Sequence, residues 1–114
     1  MSLERIIEIL LQLGLSRTEA KVYVYLDNKG ALNEREIMNG LGIAQHQLLK
    51  ILSKLEAKGL VVSQIKKRKE FSAIAFEIIL DRLIDLKLKQ SKEISKTKKE
   101  VISSWRRSDW ENSS

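Results

Sequence analysis

The 114-residue chain has no cysteine, no proline, one histidine and only five glycines. Without cysteine it can form neither disulfides nor thiolate metal sites, and a single histidine leaves too few ligands for a metal cluster. The scarcity of proline and glycine, together with abundant Leu, Ile, Lys and Glu, indicates a mainly helical protein. We therefore expect neither a metal ion nor a cofactor.

Long apolar runs are also lacking. No stretch approaches the length needed to span a bilayer, and the N-terminus has no basic segment followed by an apolar block and a small-residue cleavage site. We therefore expect no membrane association and no secretion. Apolar residues make up 43% of the chain, which is enough for one modest core. We therefore expect one domain, or one domain with an extension.

Positive charge is concentrated in two segments of the chain, whose overall net charge is +6. Residues 45–69 carry seven basic side chains against one acidic, and residues 87–114 carry eight against four. Residues 1–44 and 70–86 have net charges of −1 and −3. Local basic blocks of this kind are the electrostatic footprint of a polyanionic partner, although a solvated helix surface explains the second block equally well.

The first part of the chain shows the patterns of two amphipathic helices. Residues 3–13 form a wide apolar stripe at helical spacing that ends at Gly14. Ser16 and Glu19 form a capping box for a second helix, predicted to run to about Asn28. This helix contains the strand-prone run VYVYL, but the box before it and the stop signal after it favour a helix.

Residues 33–61 have the pattern of a helix-turn-helix. Asn33 begins a second capping box, and a short helix follows it. Gly40 and Gly42 are expected to form the bend, and the next helix is predicted over residues 44–58. In a helix-turn-helix the second helix reads a DNA major groove, whereas a plain helical hairpin is the other explanation. The apolar side of that second helix is Leu48, Ile51, Leu52 and Leu55.

Strand-like periodicity follows the helix-turn-helix. Residues 60–65 and 70–74 are predicted to be two strands joined by a basic tip at residues 66–69. A hairpin directly after a reading helix is the wing of a winged helix, and its cations would neutralise DNA phosphates and release counterions. The predicted phosphate contacts of the wing are Lys66, Lys67, Arg68 and Lys69.

The C-terminal part is predicted to be one long helix. We expect a winged-helix DNA-binding domain at residues 1–75, a dimerisation helix at 76–105 and a disordered tail at 106–114. A helix of that length, about 45 Å, is too long to be covered by so small a domain, which predicts a second copy as its partner, in parallel or antiparallel orientation. The predicted dimer interface is Leu83, Leu86, Gln90, Ile94, Thr97, Val101 and Trp105.

Three stretches together resemble the winged-helix domain of the TrmB family of archaeal transcriptional regulators. They are LQLGLSRTEAKVYVYL, REIMNGLGIAQHQLLKILSKLEAKGLV and EFSAIAFEIILDRL, which lie within residues 11–83. The most specific part is LGLS followed by EAKVY, whereas residues 52–61 are also shared with MarR- and ArsR-like winged helices. The resemblance implies DNA binding, a role in transcription, and a helix after the wing that can dimerise. Many members also carry a C-terminal sugar-binding domain, which this chain is too short to contain.

The resemblance also implies that the first turns of the second helix of the helix-turn-helix face the DNA groove. The chain departs from the family pattern at Ala44, His46 and Leu49, and four cations replace the Gly-Arg-Pro character of the wing, so no target sequence carries over. Gln amides pair with adenine, and Lys binds guanine or phosphate. The predicted DNA contacts are Asn33, Arg35, Gln45, His46, Gln47, Lys50, Lys54, Lys66, Lys67, Arg68 and Lys69.

The sequence contains no Gly-rich phosphate loop and no His/Cys cluster, so we expect no enzyme. The fold class predicted is mainly α with a small β-hairpin wing, a winged helix-turn-helix followed by a long C-terminal helix. The function predicted is that of a sequence-specific regulator that binds double-stranded DNA as a homodimer, in the cytoplasm with the nucleoid and with no evident small-molecule ligand. The alternatives are an architectural chromatin-type protein with little sequence preference and a winged-helix module for protein contacts in a transcription complex.

Overall fold

The computed structural model describes residues 2–112, with side chains described as far as Trp105. Its strands form an antiparallel sheet in the order β1-β3-β2, and the rest of the described chain is mainly helical. The predicted fold class is confirmed: a winged helix-turn-helix with a long helix after the wing. The elements are α1 (Leu3–Gln12), α2 (Arg17–Lys29), β1 (Leu32–Asn33), α3 (Glu34–Leu41), α4 (Gln45–Ala57), β2 (Val61–Ile65), β3 (Lys69–Ala73) and α5 (Phe76–Asn112).

The start of α2 is fixed by the predicted capping box. The Ser16 hydroxyl accepts a hydrogen bond from the Glu19 backbone N–H at 3.1 Å, and Glu19 Oε1 accepts from the Ser16 N–H at 2.8 Å. These bonds satisfy two donors that a helix start otherwise leaves free. The strand-prone run VYVYL is therefore helical, and it buries Val22, Tyr23 and Leu26.

The core lies between the helices and the inner side of the sheet, and it also includes the first turns of α5. Ile79 and Leu83 of α5 are 0% and 2% exposed, so both pack inside this core. Leu83 is consequently unavailable to a partner, and we remove it from the predicted dimer interface. The chain divides into two compact units, Met1–Ile84 and Asp85–Ser114, so the first unit extends past the boundary predicted at residue 75.

The long helix α5 continues past Trp105, where the sequence pattern predicts its end, and its backbone is helical to Asn112. The side chains of residues 106–112, and residues 113 and 114 entirely, lie outside the described part of the chain. Disorder at residues 106–114 therefore stays a prediction. Within the residues that the structure describes, no helix is both long enough and apolar enough to cross a membrane.

The bend between α3 and α4 depends on one of the two glycines predicted there. Gly42 has the left-handed conformation, with φ 66° and ψ 35°, and its N–H donates to the Met38 carbonyl oxygen to end α3. Gly40, in contrast, lies inside α3, so its predicted place in the bend is wrong. A Cβ atom on Gly40 would overlap the Tyr25 hydroxyl group, so the absence of a side chain allows Tyr25 of α2 to pack closely on α3.

Tyr23 links α2 to the chain that leaves the sheet. Its hydroxyl group, which is part of a side chain only 1% exposed, donates to the Ile74 carbonyl oxygen at 2.6 Å. Burial, and secondarily the charge of Asp27, raise the pKa of Tyr23 well above its ordinary value. The folded protein therefore keeps this phenol neutral at a pH where the unfolded chain ionises it. Its contribution to stability is complete below about pH 10 and is lost as the pH rises further.

We expect Tyr23→Phe to lower the free energy of unfolding by about 1–3 kcal/mol at neutral pH, because it leaves the buried Ile74 carbonyl without its donor. The difference from wild type should narrow at about pH 11, where ionisation of Tyr23 stabilises the unfolded wild-type chain. Urea unfolding at the two pH values measures both effects. Tyr25→Phe is the control for loss of a phenol from the same helix, and equal narrowing in both variants would contradict the assignment to Tyr23.

Candidate nucleic-acid interface

Helix α4 presents two contrasting sides. Its apolar side, formed by Leu48, Ile51, Leu52 and Leu55, is buried in the core. The opposite side is exposed, as helical periodicity predicts. It contains the predicted contacts Gln45, His46, Gln47, Lys50 and Lys54.

Two exposed residues of α4 were not among the predicted contacts. Leu49 is 43% exposed, and Ser53 is also exposed. Both lie on the same side as His46 and Lys50, because residues three and four apart share a helix face. An exposed leucine can contact a thymine methyl group, and a serine hydroxyl can bond to any base. The position of Leu49 on the exposed side of α4 could have predicted a DNA contact, whereas its apolar side chain alone suggests a place in the core.

The end of α4 is held by two contacts from other elements. Lys58 Nζ lies 3.6 Å from Glu19 Oε2 of α2, and Arg82 of α5 donates a hydrogen bond to the Gly59 carbonyl oxygen. Burial tends to raise the pKa of Glu19, but hydrogen bonds from Ser16 and the charge of Lys58 outweigh it, so the pKa is lowered. Glu19 is therefore ionised at neutral pH, and α4 is fixed in orientation relative to α2.

The start of α3 lies directly beside the wing. Asn33 Oδ1 accepts from the Glu36 N–H at 2.9 Å, and the Asn33 N–H donates to Glu36 Oε1 at 3.1 Å, which confirms the predicted capping box. Asn33 also pairs with Glu70 of β3 in the sheet. The strand β1 has only two residues and was not predicted, yet it joins the helix-turn-helix to the wing.

The wing is the predicted hairpin of β2 and β3, in a register that ends with Ile65 opposite Lys69. Lys66, Lys67 and Arg68 form the exposed turn, and the Lys66 N–H donates to the Arg68 carbonyl oxygen at 3.2 Å. Lys69 belongs to β3 instead of the tip, and its Nζ lies 5.4 Å from the centroid of the Phe71 ring. This cation–π contact holds Lys69 at the root of the turn.

A shallow groove brings the starts of α3 and α4 together with the wing. Five of the predicted DNA contacts line it, one or two from each element, so segments 35 residues apart in sequence share one surface. The remaining predicted contacts do not line this groove and lie on the exposed sides of α4 and of the wing turn. The groove is lined by Asn33, Glu34, Arg35, Met38, Gln45, Arg68 and Lys69.

The charge on this surface is mainly positive. Arg35, Arg68 and Lys69 line the groove with Glu34 as its one lining acid among the described residues. The adjacent turn adds Lys66 and Lys67. A surface with this excess of cations attracts a polyanion, and the exposed amides of α4 beside it can form base contacts.

The sequence that forms this surface matches the model of a known protein family. A family model described as sugar-specific transcriptional regulator TrmB matches residues 10–77, which is more than half of the chain. No curated protein sequence matches the chain.

Several solved structures have the same fold. The archaeal chromatin protein TrmBL2, whose structure shows a novel mode of DNA binding, is 25% identical with a TM-score of 0.77, over 90% of this chain and 41% of that chain. The ST1889 protein from the thermoacidophilic archaeon Sulfolobus tokodaii is 18% identical with a TM-score of 0.64, over 82% of this chain and 99% of that one. S. aureus MepR, solved in complex with DNA, is 18% identical with a TM-score of 0.52, over 89% and 88%. The chain thus spans less than half the length of TrmBL2.

Proposed function

Because the chain belongs to the TrmB family of transcriptional regulators, we propose that it is a sequence-specific DNA-binding regulator that acts as a dimer. In this proposal α4 enters the major groove of double-stranded DNA, and the wing turn binds phosphates. The protein would act in the cytoplasm, bound to the nucleoid. The observation that carries it is the shared groove, in which Asn33, Gln45 and Arg68 from three elements line one basic surface. A winged helix that binds DNA needs this convergence of reading helix and wing.

The division of labour follows from side-chain chemistry. Gln45 and Gln47 carry amides that can form two hydrogen bonds to adenine, and Lys50 can bind the acceptor edge of guanine. The lysines of the wing turn can bind phosphate as point charges, and the arginine can bind it through two parallel hydrogen bonds. Such contacts fix the position of the protein on DNA without reading bases. Within the winged helix, specificity is therefore assigned to α4, and the salt-dependent part of the affinity is assigned mainly to the wing.

The dimer is proposed to form through an apolar seam, defined as Leu86, Gln90, Ile94, Thr97, Val101 and Trp105. These residues recur every three or four positions, so they share one side of α5. Ile94, Val101 and Trp105 are 69%, 60% and 66% exposed, and a second copy is the simplest partner that covers all of them.

An architectural chromatin protein is the second candidate, and the likeness to TrmBL2 favours it. Selection of bound fragments from a genomic DNA library, at low and at high salt, separates the two. A regulator should prefer its operator over random DNA by about 10³-fold or more at physiological salt, whereas an architectural protein should show almost no preference. A protein that binds no DNA at either salt concentration would point instead to a winged helix used for protein contacts.

We expect Gln45→Ala or Gln47→Ala, whichever residue forms a base contact, to cost about 1–3 kcal/mol of binding free energy on the selected site. Affinity for random DNA should barely change, because no phosphate contact is lost. Titration of both DNAs against each variant measures the difference, with Gln12→Ala on α1 as the matched control. An equal loss on specific and random DNA would contradict the assignment of these amides to base edges.

A further inference from the structure

The second compact unit consists of the part of α5 from Asp85 onward, and it carries charge in an ordered way. Successive residues of a helix are rotated by about 100°, so spacings of three and four residues mark one side. Four lysines follow each other at spacings of three, four and three, and the apolar seam lies on the opposite side of the helix. We call them the lysine stripe: Lys89, Lys92, Lys96 and Lys99.

The lysines of this stripe have no anionic partner within the described part of the protein. All four side chains are exposed, and none of them forms an ion pair with a described acidic residue. Glu93 and Glu100 lie four residues after Lys89 and Lys96, at one edge of the stripe, whereas Lys92 and Lys99 have no acidic residue three or four positions away. Like charges three and four residues apart on a helix repel one another, so the pairs Lys89–Lys92, Lys92–Lys96 and Lys96–Lys99 are unfavourable, and an external anion would relieve their repulsion.

An ordinary solvated helix face would be built differently. A glutamate at position 92 or 99 would lie three or four residues from a lysine of the stripe and would extend the Glu–Lys spacing that Glu93 and Glu100 provide at one edge. The segment instead places its lysines together, on the side that stays accessible if the apolar seam pairs with a second copy. Both copies of a dimer would then present a lysine stripe outward.

We propose that the lysine stripe is a second DNA-phosphate site, separate from the winged helix; this inference rests on the proposed function. Lys99 lies ten positions after Lys89, which is a rise of about 15 Å along the helix axis. A duplex presents about nine phosphates over that length, so all four ammonium groups can find one within reach. Lysine is a compact charge on a flexible stem and reads no base, so the site adds affinity for every sequence equally.

The test measures salt dependence on a duplex of random sequence with the full-length chain. Replacing Lys89, Lys92, Lys96 and Lys99 by Gln should flatten the slope of log affinity against log salt by up to about 3.6, at about 0.9 per lost contact. Glutamine preserves helix propensity, and four Lys→Arg exchanges at the same positions should restore the wild-type slope. The matched control is a pairwise comparison: Lys92→Gln with Lys96→Gln should flatten the slope, whereas Arg17→Gln with Lys21→Gln, at exposed cations of α2 outside the candidate interface, should not.

Two further measurements keep the outcome unambiguous. Sedimentation shows whether a variant keeps the oligomeric state of the wild type, and if it does not, the comparison is repeated with Ile94→Asp in both proteins so that both are monomers. The wing is tested in parallel, because loss of slope in wing variants alone would leave the proposed function standing and overturn the second site. An unchanged slope in the fourfold Gln variant overturns the proposal, and a flattened slope at unchanged oligomeric state supports it.

Discussion

Ending the chain after Asp85 is expected to convert the proposed dimer into a folded monomer. The first compact unit keeps Ile79 and Leu83, so its core remains complete. Full burial of a Leu or Ile side chain is worth about 1.5–3 kcal/mol, so four apolar seam residues from each of two copies supply at most about 12–24 kcal/mol. Association costs about 4–15 kcal/mol, which is less than the burial of the seam supplies over most of these ranges, so the proposed dimer should depend on this seam.

The monomer should bind a single DNA half-site and should lose any preference for paired half-sites about ten base pairs apart. Sedimentation of both proteins at the same concentration is the measurement. Because the truncation also removes the lysine stripe, Ile94→Asp in the full-length chain isolates the seam. Its control is Ser91→Asp, at an exposed position that is neither in the seam nor three or four residues from a lysine of the stripe. A full-length chain that sediments as a monomer at tens of micromolar would rule out the dimer.

Replacing Lys66, Lys67 and Arg68 by Ser is expected to weaken binding to every DNA sequence. Each lost phosphate contact should flatten the slope of log affinity against log salt by about 0.9, so the three together account for up to about 2.7. Adding Lys69→Ser should remove up to about 0.9 more. It should also cost about 0.5–1 kcal/mol of stability, because the cation–π contact with Phe71 is lost.

The control for the wing exchanges its charges without removing them. Lys66→Arg, Lys67→Arg and Arg68→Lys together preserve three cations, so the slope should equal that of the wild type. Thermal unfolding of each variant shows whether the winged helix is intact. A wing without cations that still gave the wild-type slope would mean that the turn does not touch DNA.

The capped helices could be predicted because their signals are local. Ser16 with Glu19 and Asn33 with Glu36 act within one turn, and the structure contains both pairs of hydrogen bonds. The wing could be predicted for a similar reason, since the change from helical to alternating periodicity is visible within a few residues. Neighbours in sequence are neighbours in space in all three cases.

The features that were missed depend on contacts between distant segments. A two-residue strand such as β1 has no periodicity of its own and exists only because β3 lies beside it. Gly40 was assigned to the bend because glycine usually ends a helix, whereas here it makes room for Tyr25 of α2. Leu83 continues the same helical spacing as the seam, and the pattern alone does not reveal whether a core or a partner covers it.

The candidate site was predictable as a set of residues but not as a shape. Exposed polar residues at the start of α4 and cations at the wing follow from helix and hairpin geometry. Only the packing of three elements brings Asn33, Gln45 and Arg68 together along one groove. Leu49 was missed because residue type suggested burial, although its position on the helix places it among the exposed residues.

Asn33 occupies two structures at once, since it is the last residue of β1 opposite Glu70 and also the N-cap of α3. A shift of the wing relative to the helix-turn-helix would therefore break the strand pair at the very residue that caps α3. In the proposed complex the spacing between reading helix and wing is thus already fixed in the free protein. Any mismatch between this spacing and the DNA surface must be accommodated by bending or twisting the duplex. That deformation is cheap at flexible pyrimidine–purine steps and expensive in stiff A-tracts. Preferred sites should accordingly be distinguished by their flexibility at base pairs that no side chain touches.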